Sequence, residues 1–258
     1  MKFYKITNEK ECHHGLQYHD GLNEDIVPFN PSGDCETGGI YFAREDILSF
    51  LIYGPWIREV TLPEDAQIYK NPLSPVKWKA DKVILGKRRE INPETIQELI
   101  DEGADVHSDK DAAFRWACSY GHLEIAKLLL KNGAYIEAKS NYSLCFACHN
   151  GHLEIVKFLV ENGADVRIQN NYPMVLAANN EHFEIMKYLF ENGANINGFS
   201  GEPLQYSVKN NNIEIVTFIM ENLKEYHEDQ IEYAIYLASI FKHNEIKQYI
   251  KTKMENKK

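Results

Sequence analysis

One phrase, His-Leu-Glu-Ile-x-Lys followed by Asn-Gly-Ala, returns along this chain at a fixed interval. HLEIAKLLLKNGAY begins at His122, HLEIVKFLVENGAD at His152, HFEIMKYLFENGAN at His182 and NIEIVTFIMENL at Asn212, a step of 30 residues each time. A frayed copy, HNEIKQYI, begins at His243, one residue late after ENLKEYHEDQ. An earlier half-copy, PETIQELIDEGAD, runs from Pro93 to Asp105 and puts Gly103 30 residues before Gly133. A period of this length constrains the fold strongly. One such unit cannot bury its own apolar face, so the units must stack on one another.

Each unit reads as two helices. Ile155, Val156, Phe158 and Leu159 share one helical face, and Glu154, Lys157 and Glu161 point away from it. Gly103, Gly133, Gly163 and Gly193 then fall just past a helix end, where a residue without a β-carbon takes the left-handed cap at no cost. A shorter helix precedes each phrase: AAFRWACSYGH, YSLCFACHNGH, YPMVLAANNEH, EPLQYSVKNNN and YAIYLASIFKH. Pro173 and Pro203 stand in its first turn, which needs no N–H donor. Ala117, Ala147, Ala177, Ser207 and Ala238 recur where two helices must approach closely.

This helix–turn–helix–loop unit resembles the ankyrin repeat over roughly residues 91–258, through its Gly-His, Leu-Glu-Ile-Val-Lys and Asn-Gly-Ala-Asp spelling. Two departures stand out. The family's Thr-Pro-Leu-His signature is replaced by Ala-Ala-Phe-Arg, Tyr-Ser-Leu-Cys, Tyr-Pro-Met-Val and Glu-Pro-Leu-Gln, so the hydrogen bonds of its threonine and histidine are expected to be absent. The repeat is also shorter than the family's usual ~33 residues, which implies a clipped β-finger. The expected fold is therefore a small α+β N-terminal domain at 1–90 followed by an all-α ankyrin-repeat solenoid at 91–258. Its parts are a half-repeat at 91–110, full repeats at about 111–140, 141–170, 171–200 and 201–231, and a capping repeat at 232–258.

Two features invite a cofactor, and the repeat answers the first. Cys145-x-x-Cys148-His149 spells a haem attachment, with His152 close by. Yet Cys145 and Cys148 occupy slots that other copies fill with Arg115 and Cys118, Val175 and Ala178, or Gln205 and Val208. They read as packing residues, and His152 as a repeat feature shared with His122, His182 and His243. The second feature is Cys12-His13-His14 with Cys35, which lacks a paired Cys-x-x-Cys. The reading is no metal, no cofactor and no catalytic set in the repeats, whose carboxylates recur on a solvated face.

What varies between copies is the surface. Ser119 and Tyr120, His149 and Asn150, Asn179 and Asn180, and Lys209 and Asn210 stand just before each inter-helix turn. Tyr135, Arg167, Gln169, Asn170 and Phe199 stand at the fingertips. The ankyrin resemblance implies that such positions contact a protein partner, and these residue types suit that role.

The net charge of -10 makes a nucleic-acid backbone an improbable ligand. Residues 1–90 carry 12 basic against 14 acidic side chains and the remainder 16 against 24. MKFYKITNEKE turns polar at once, no apolar run has membrane-spanning length, and five cysteines make an odd count. These features point to an intracellular chain with reduced thiols and no membrane partner.

The first ninety residues have another grammar. MKFYKIT, GLQYHDGLN, GGIYFA, WIREVTLP, AQIYK and ADKVIL read as strands, REDILSFLIYG as a helix and NPLSPVKW as the most loop-like stretch. Taken in order with the repeats, these segments resemble a group of ankyrin proteins of giant amoebal viruses over nearly the entire chain. That resemblance implies binding to a host or viral protein in the host cytoplasm, with association with the virion as an alternative. GGIYFA, Tyr53 and REVTLPEDAQIY also resemble the central segment of poly-ADP-ribose polymerases, which implies a nicotinamide-stacking role for Tyr53 and a ribose-binding role for His19. The His-Gly-Ser/Thr motif is not intact, and Asp81 is the nearest acid to the expected glutamate. The alternative for this module is a cap that seals the open end of the solenoid.

Overall fold

The computed structural model describes residues 2–32, 36–225 and 227–255. Strands occupy the first ninety residues and helices the rest. The strands are β1 (Phe3–Thr7), β2 (Cys12–His13), β3 (Leu16–Gln17), β4 (Gly21–Glu24), β5 (Ile40–Phe42), β6 (Trp56–Thr61), β7 (Ile68–Asn71), β8 (Lys77–Ala80), β9 (Lys82–Leu85) and β10 (Arg89–Glu90). The helices are α1 (Pro93–Asp101), α2 (Ser108–Ser119), α3 (Leu123–Lys131), α4 (Ala138–Asn150), α5 (Leu153–Glu161), α6 (Ile168–Asn179), α7 (Phe183–Glu191), α8 (Gly198–Lys209), α9 (Ile213–Asn222), α10 (Glu228–Ile240) and α11 (Asn244–Glu255). Tertiary contacts divide the chain into a first unit, Met1–Ala117 with His122–Ala138, and a second, Cys118–Gly121 with Lys139–Lys258.

The strands pair antiparallel throughout. One sheet runs β1-β6-β9-β4 with β10 also on β6, another runs β5-β8-β7, and β2 and β3 form a hairpin. A bridge between Tyr4 and Ala43 ties β1 to the end of β5. Tyr18, Ile40, Phe42, Val60, Ala80, Val83 and Leu85 form the core between them. GLQYHDGLN does not form one strand: Tyr18, His19 and Asp20 separate β3 from β4, which opens on Gly21 at φ 90°. The helix expected in REDILSFLIYG is a 3₁₀ helix over Ile47–Tyr53. The end of the loop-like NPLSPVKW opens β8, with Trp78 paired to Phe42 and Lys70.

A buried ion network pins the head. Arg58 donates to both Glu11 carboxylate oxygens (2.7 and 3.0 Å), to Asp20 (2.6 Å) and to the Gly86 carbonyl (2.6 Å). The Arg58 guanidinium holds the Glu11 carboxyl below the ordinary carboxylate range. The head is also bonded to the first repeat inside the first unit. Asp105 N–H donates to the Glu45 carbonyl (2.7 Å), Ser108 Oγ to Asp46 (2.5 Å) and Tyr4 OH to Glu102 (2.9 Å). Helix α1 starts where expected, with Pro93 at its first turn and Asn92 accepting from Thr95 N–H.

The long helices of the four full copies bury the same three slots: Ile125, Ala126 and Leu129; Ile155, Val156 and Leu159; Ile185, Met186 and Leu189; Ile215, Val216 and Ile219. On the outer face Glu124–Lys127, Glu154–Lys157 and Glu184–Lys187 form exposed pairs that add little stability. Gly103, Gly133, Gly163 and Gly193 take φ between 91° and 99°, the left-handed cap expected of them.

The clipped finger has a definite form. Residues 109–111, 169–171 and 199–201 each make three consecutive left-handed residues, with φ from 46° to 89°. Such a turn opposes the chirality of the chain. The third residue offsets this: Asp111 accepts from Tyr135 N–H (3.1 Å) and Asn171 from Asn195 N–H (2.7 Å), each in the next repeat. These buried side chains form inter-repeat bonds in a chain that lacks the Thr-Pro-Leu-His residues.

The turn between the two helices of a repeat supplies a second tie. His152 Nε2–H donates to the Ser119 carbonyl (2.9 Å), and His182 Nε2–H to that of His149 (3.0 Å). Neither histidine caps its own helix. Gly121 and Gly151 make room for them, since a β-carbon at Gly151 would lie 2.6 Å from the His182 ring. Where the glycine becomes Glu181, the next copy carries Asn212, which donates to Glu181 (3.0 Å) and caps α9 through Ile215 N–H. Glycine and histidine change together at Glu181 and Asn212; after Asn211 the histidine returns as His243, which donates through Nδ1 to the Val208 carbonyl (2.8 Å).

Gly151→Ala should lower stability by more than about 1 kcal/mol, because it combines a left-handed φ with a ring collision. Adding His182→Asn should recover part of that loss in urea denaturation. A purely additive double variant would refute the steric coupling.

Candidate functional site

In the second unit the short helix α6 lies beside α8, and α8 beside α10, while α6 also packs on the long helix α7. Each buries its small residues: Ala147 and Cys148, Ala177 and Ala178, and Ser207 and Val208 are essentially inaccessible. The helical phase that turns Ala147 inward turns Tyr142, Phe146 and His149 outward. Together with Tyr172, Leu176 and the fingertip Gln169, they enclose a hollow of about 320 Å³ between α4 and α6. Tyr142 meets Phe146 at 5.5 Å between ring centroids, and Tyr172 meets Phe199 at 5.7 Å. The result is an aromatic surface with a polar rim.

Of the positions singled out by copy-to-copy variation, His149, Gln169, Asn180 and Phe199 converge at this hollow or next to its walls. Asn180 Nδ2 donates to His149 Nδ1 (3.0 Å), which puts the proton of a neutral His149 ring on Nε2. Asn150 donates to the Ser119 carbonyl (2.7 Å) and Asn210 to that of Asn179 (2.8 Å), so these amides also tie repeats together. Arg167 donates to the Gly193 carbonyl (2.8 Å), and Lys209 stands over the Tyr206 ring. Asn170 is exposed on the left-handed fingertip, and Asn179 and Ser119 are half-buried. Tyr120 is 55% exposed. Tyr135 belongs to the first unit, where it is 63% exposed and stacks on His107. Tyr142, Phe146 and Tyr172 escaped the sequence reading. Their signal was helical phase relative to Ala147 and Ala177, not variation before the turn.

The cysteines pack. Cys118, Cys145 and Cys148 are buried, and burial pushes the Cys118 thiol up to about 12 and the Cys145 thiol to about 11. A thiol held protonated is neither nucleophile nor ligand. Cys12, His13 and His14 lie along a cavity in the head, and Cys35 falls outside the described residues. Among the described residues no group of three His, Cys, Asp or Glu side chains is arranged to hold a metal ion. Tyr53 reaches the rim of the head cavity. His19 instead points Nδ1 at the Asp20 carbonyl (2.9 Å), and Asp81 accepts from Gln67 N–H (2.8 Å). No helix among the described residues is long and apolar enough to cross a membrane.

A family model described as ankyrin repeats in three copies matches residues 87–170 and 144–231. Ankyrin repeat protein R229 of Acanthamoeba polyphaga mimivirus is 40% identical over 140 residues, covering 48% of this chain and 46% of R229. Ankyrin repeat protein R868 of the same virus is 36% identical over 135 residues, 50% of this chain and 66% of R868. The mimivirus protein R869, named as uncharacterized, is 39% identical over 133 residues, 50% of this chain and 96% of R869. The likeness to each extends over about half of the present chain, which in turn spans about half the length of R229 and two thirds of R868. Matched repeat by repeat and stacked through buried Ile-x-x-x-Leu faces and glycine caps, this chain belongs to the ankyrin repeat family.

Proposed function

We propose that this is a non-enzymatic binding protein whose short-helix face, α4 through α6 with the adjoining fingertips, docks a host or viral protein. The observation that carries this is the hollow walled by Tyr142, Phe146 and Tyr172 and edged by Gln169, His149 and Asn180. Aromatic side chains beside adaptable amides are the composition of a protein interface. An apolar side chain of the partner fills the hollow, and its backbone amides meet the polar rim. The stacked repeats hold these groups in place before contact, which lowers the ordering cost of binding. The mimivirus relatives support a partner met in the cytoplasm of an amoebal host.

The same protein should be recovered from an Acanthamoeba lysate by the full chain and by a Glu154→Ala control on the outer face of α5. Recovery should fall at least tenfold, about 1.4 kcal/mol, with Phe146→Asp combined with Tyr172→Ala. A photo-crosslinker at position 146 should label that protein directly. Equal recovery by the double variant would remove the assignment.

A second reading of the head, as an ADP-ribosyltransferase-like module whose target the repeats select, is supported by Tyr53 at the cavity rim. It expects labelled NAD to be consumed or its ADP-ribose to appear on a lysate protein. Neither occurring would eliminate it.

A further inference from the structure

Lys5 lies on β1, where strand alternation alone would leave it outside, yet it is only 6% exposed. Its ammonium donates to the Tyr41 carbonyl (2.9 Å) and stands 4.5 Å from the centre of the Tyr18 ring. It pairs with no carboxylate among the described residues. Asp25 acts on it from a distance and accepts from the N–H groups of Val27 (3.1 Å) and Gly39 (2.5 Å). Burial pushes the Lys5 amine down to about 7, with Asp25 opposing only in part. An amine desolvated without an ion-pair partner costs stability that a methionine of similar length would not.

Lys5 borders a cavity of about 370 Å³ in the head, a size that holds a small molecule. Tyr18, Tyr41, Phe50 and Tyr53 supply aromatic walls, and the Phe50 and Tyr53 rings stack at 6.1 Å. The titratable wall groups besides the tyrosines and Cys12 are Lys5, Lys77, His13 and His14, so no Asp or Glu among the described residues lines it. The matching ligand is therefore an anion with a flat apolar body. Nor does the wall contain an arginine, whose fork suits a phosphate. Lys5 has three N–H donors; the Tyr41 carbonyl takes one and the Tyr18 face a second, leaving one for a singly charged oxygen acceptor.

We propose that the head cavity binds a small planar aromatic carboxylate, its carboxylate paired with Lys5 and its ring held among Tyr18, Tyr41 and Tyr53. This site is separate from the docking face and does not depend on it.

The probes are 2-naphthoate and its neutral isostere 2-naphthamide, titrated calorimetrically into the full chain. At pH 6 the carboxylate should bind at least tenfold more tightly than the amide. The preference should shrink at pH 8.5, because Lys5 loses its proton as pH rises through its depressed value. Asp25 and His13 act electrostatically on Lys5, the Tyr18 ring faces it, and His14, Lys77 and Tyr41 share its cavity. His13 is held below its ordinary value by burial and by its neighbours His14 and Lys5, and the Lys5→Met variant isolates the part of the pH change that Lys5 carries. Lys5→Met should remove both the preference and its pH dependence while the helical circular dichroism of the repeats persists. Should that variant fail to fold, the comparison of the two probes on the unaltered chain decides alone. No binding of 2-naphthoate, or amide binding as tight as the carboxylate, would overturn the assignment.

Discussion

The second unit depends on a missing atom. A histidine ring at the start of one long helix reaches back to a carbonyl at the end of the preceding short helix, and it can do so because Gly121 or Gly151 has no β-carbon in its way. The bond is modest in net energy, about 1 kcal/mol, but it recurs, from His152 to Ser119 and from His182 to His149. The adjoining amides of Asn150 and Asn210 donate to carbonyls in the same region. Where Glu181 restores a β-carbon, Asn212 donates to the Glu181 carboxylate and caps its own helix, and in the copy after Asn211 His243 uses Nδ1 to reach the Val208 carbonyl.

Fixed spacing also explains why one surface can vary while the stack persists. The inner side of each short helix is confined to residues such as Ala147, Ala177 and Ser207, because the neighbouring helix leaves no volume for more. The outer side carries no such limit. There the chain has Tyr142 and Phe146 in one copy, Tyr172 and Leu176 in the next, and Glu202 and Tyr206 in the one after. Recognition can change at these sites without disturbing the core.

The parts legible in the sequence were those with a strong local cause. Gly133 and its equivalents declared the helix ends, and Ile155, Val156 and Leu159 declared the buried stripe. The left-handed fingertip was not legible. Asp111 and Asn171 look like ordinary loop residues until the structure shows each accepting an N–H from 24 residues ahead. Variation before the turn does not mark Tyr142 and Phe146, because the exposed face is set by rotation about the short helix. In the head, β8 was obscured by Pro72 and Pro75 just before it. Lys5 was obscured because β1 is covered on both sides, so alternation of polar and apolar residues gives the wrong face.

Among the described residues the head buries three cations, Arg58, Lys5 and Lys79; Arg58 and Lys5 stand in opposite circumstances, and the contrast bears on what each is for. Arg58 is satisfied on every side: two bonds to Glu11, one to Asp20 and one to a carbonyl, with Glu11 accepting further from Thr7. A charge so matched holds the hairpin end to β6 and has little left to offer a ligand. Lys5 has one carbonyl and the face of one ring, beside an open volume with cationic and aromatic walls. A fold gains nothing in stability from an amine placed there. Matched burial reads as architecture, and unmatched burial next to a cavity reads as a site awaiting its counter-charge.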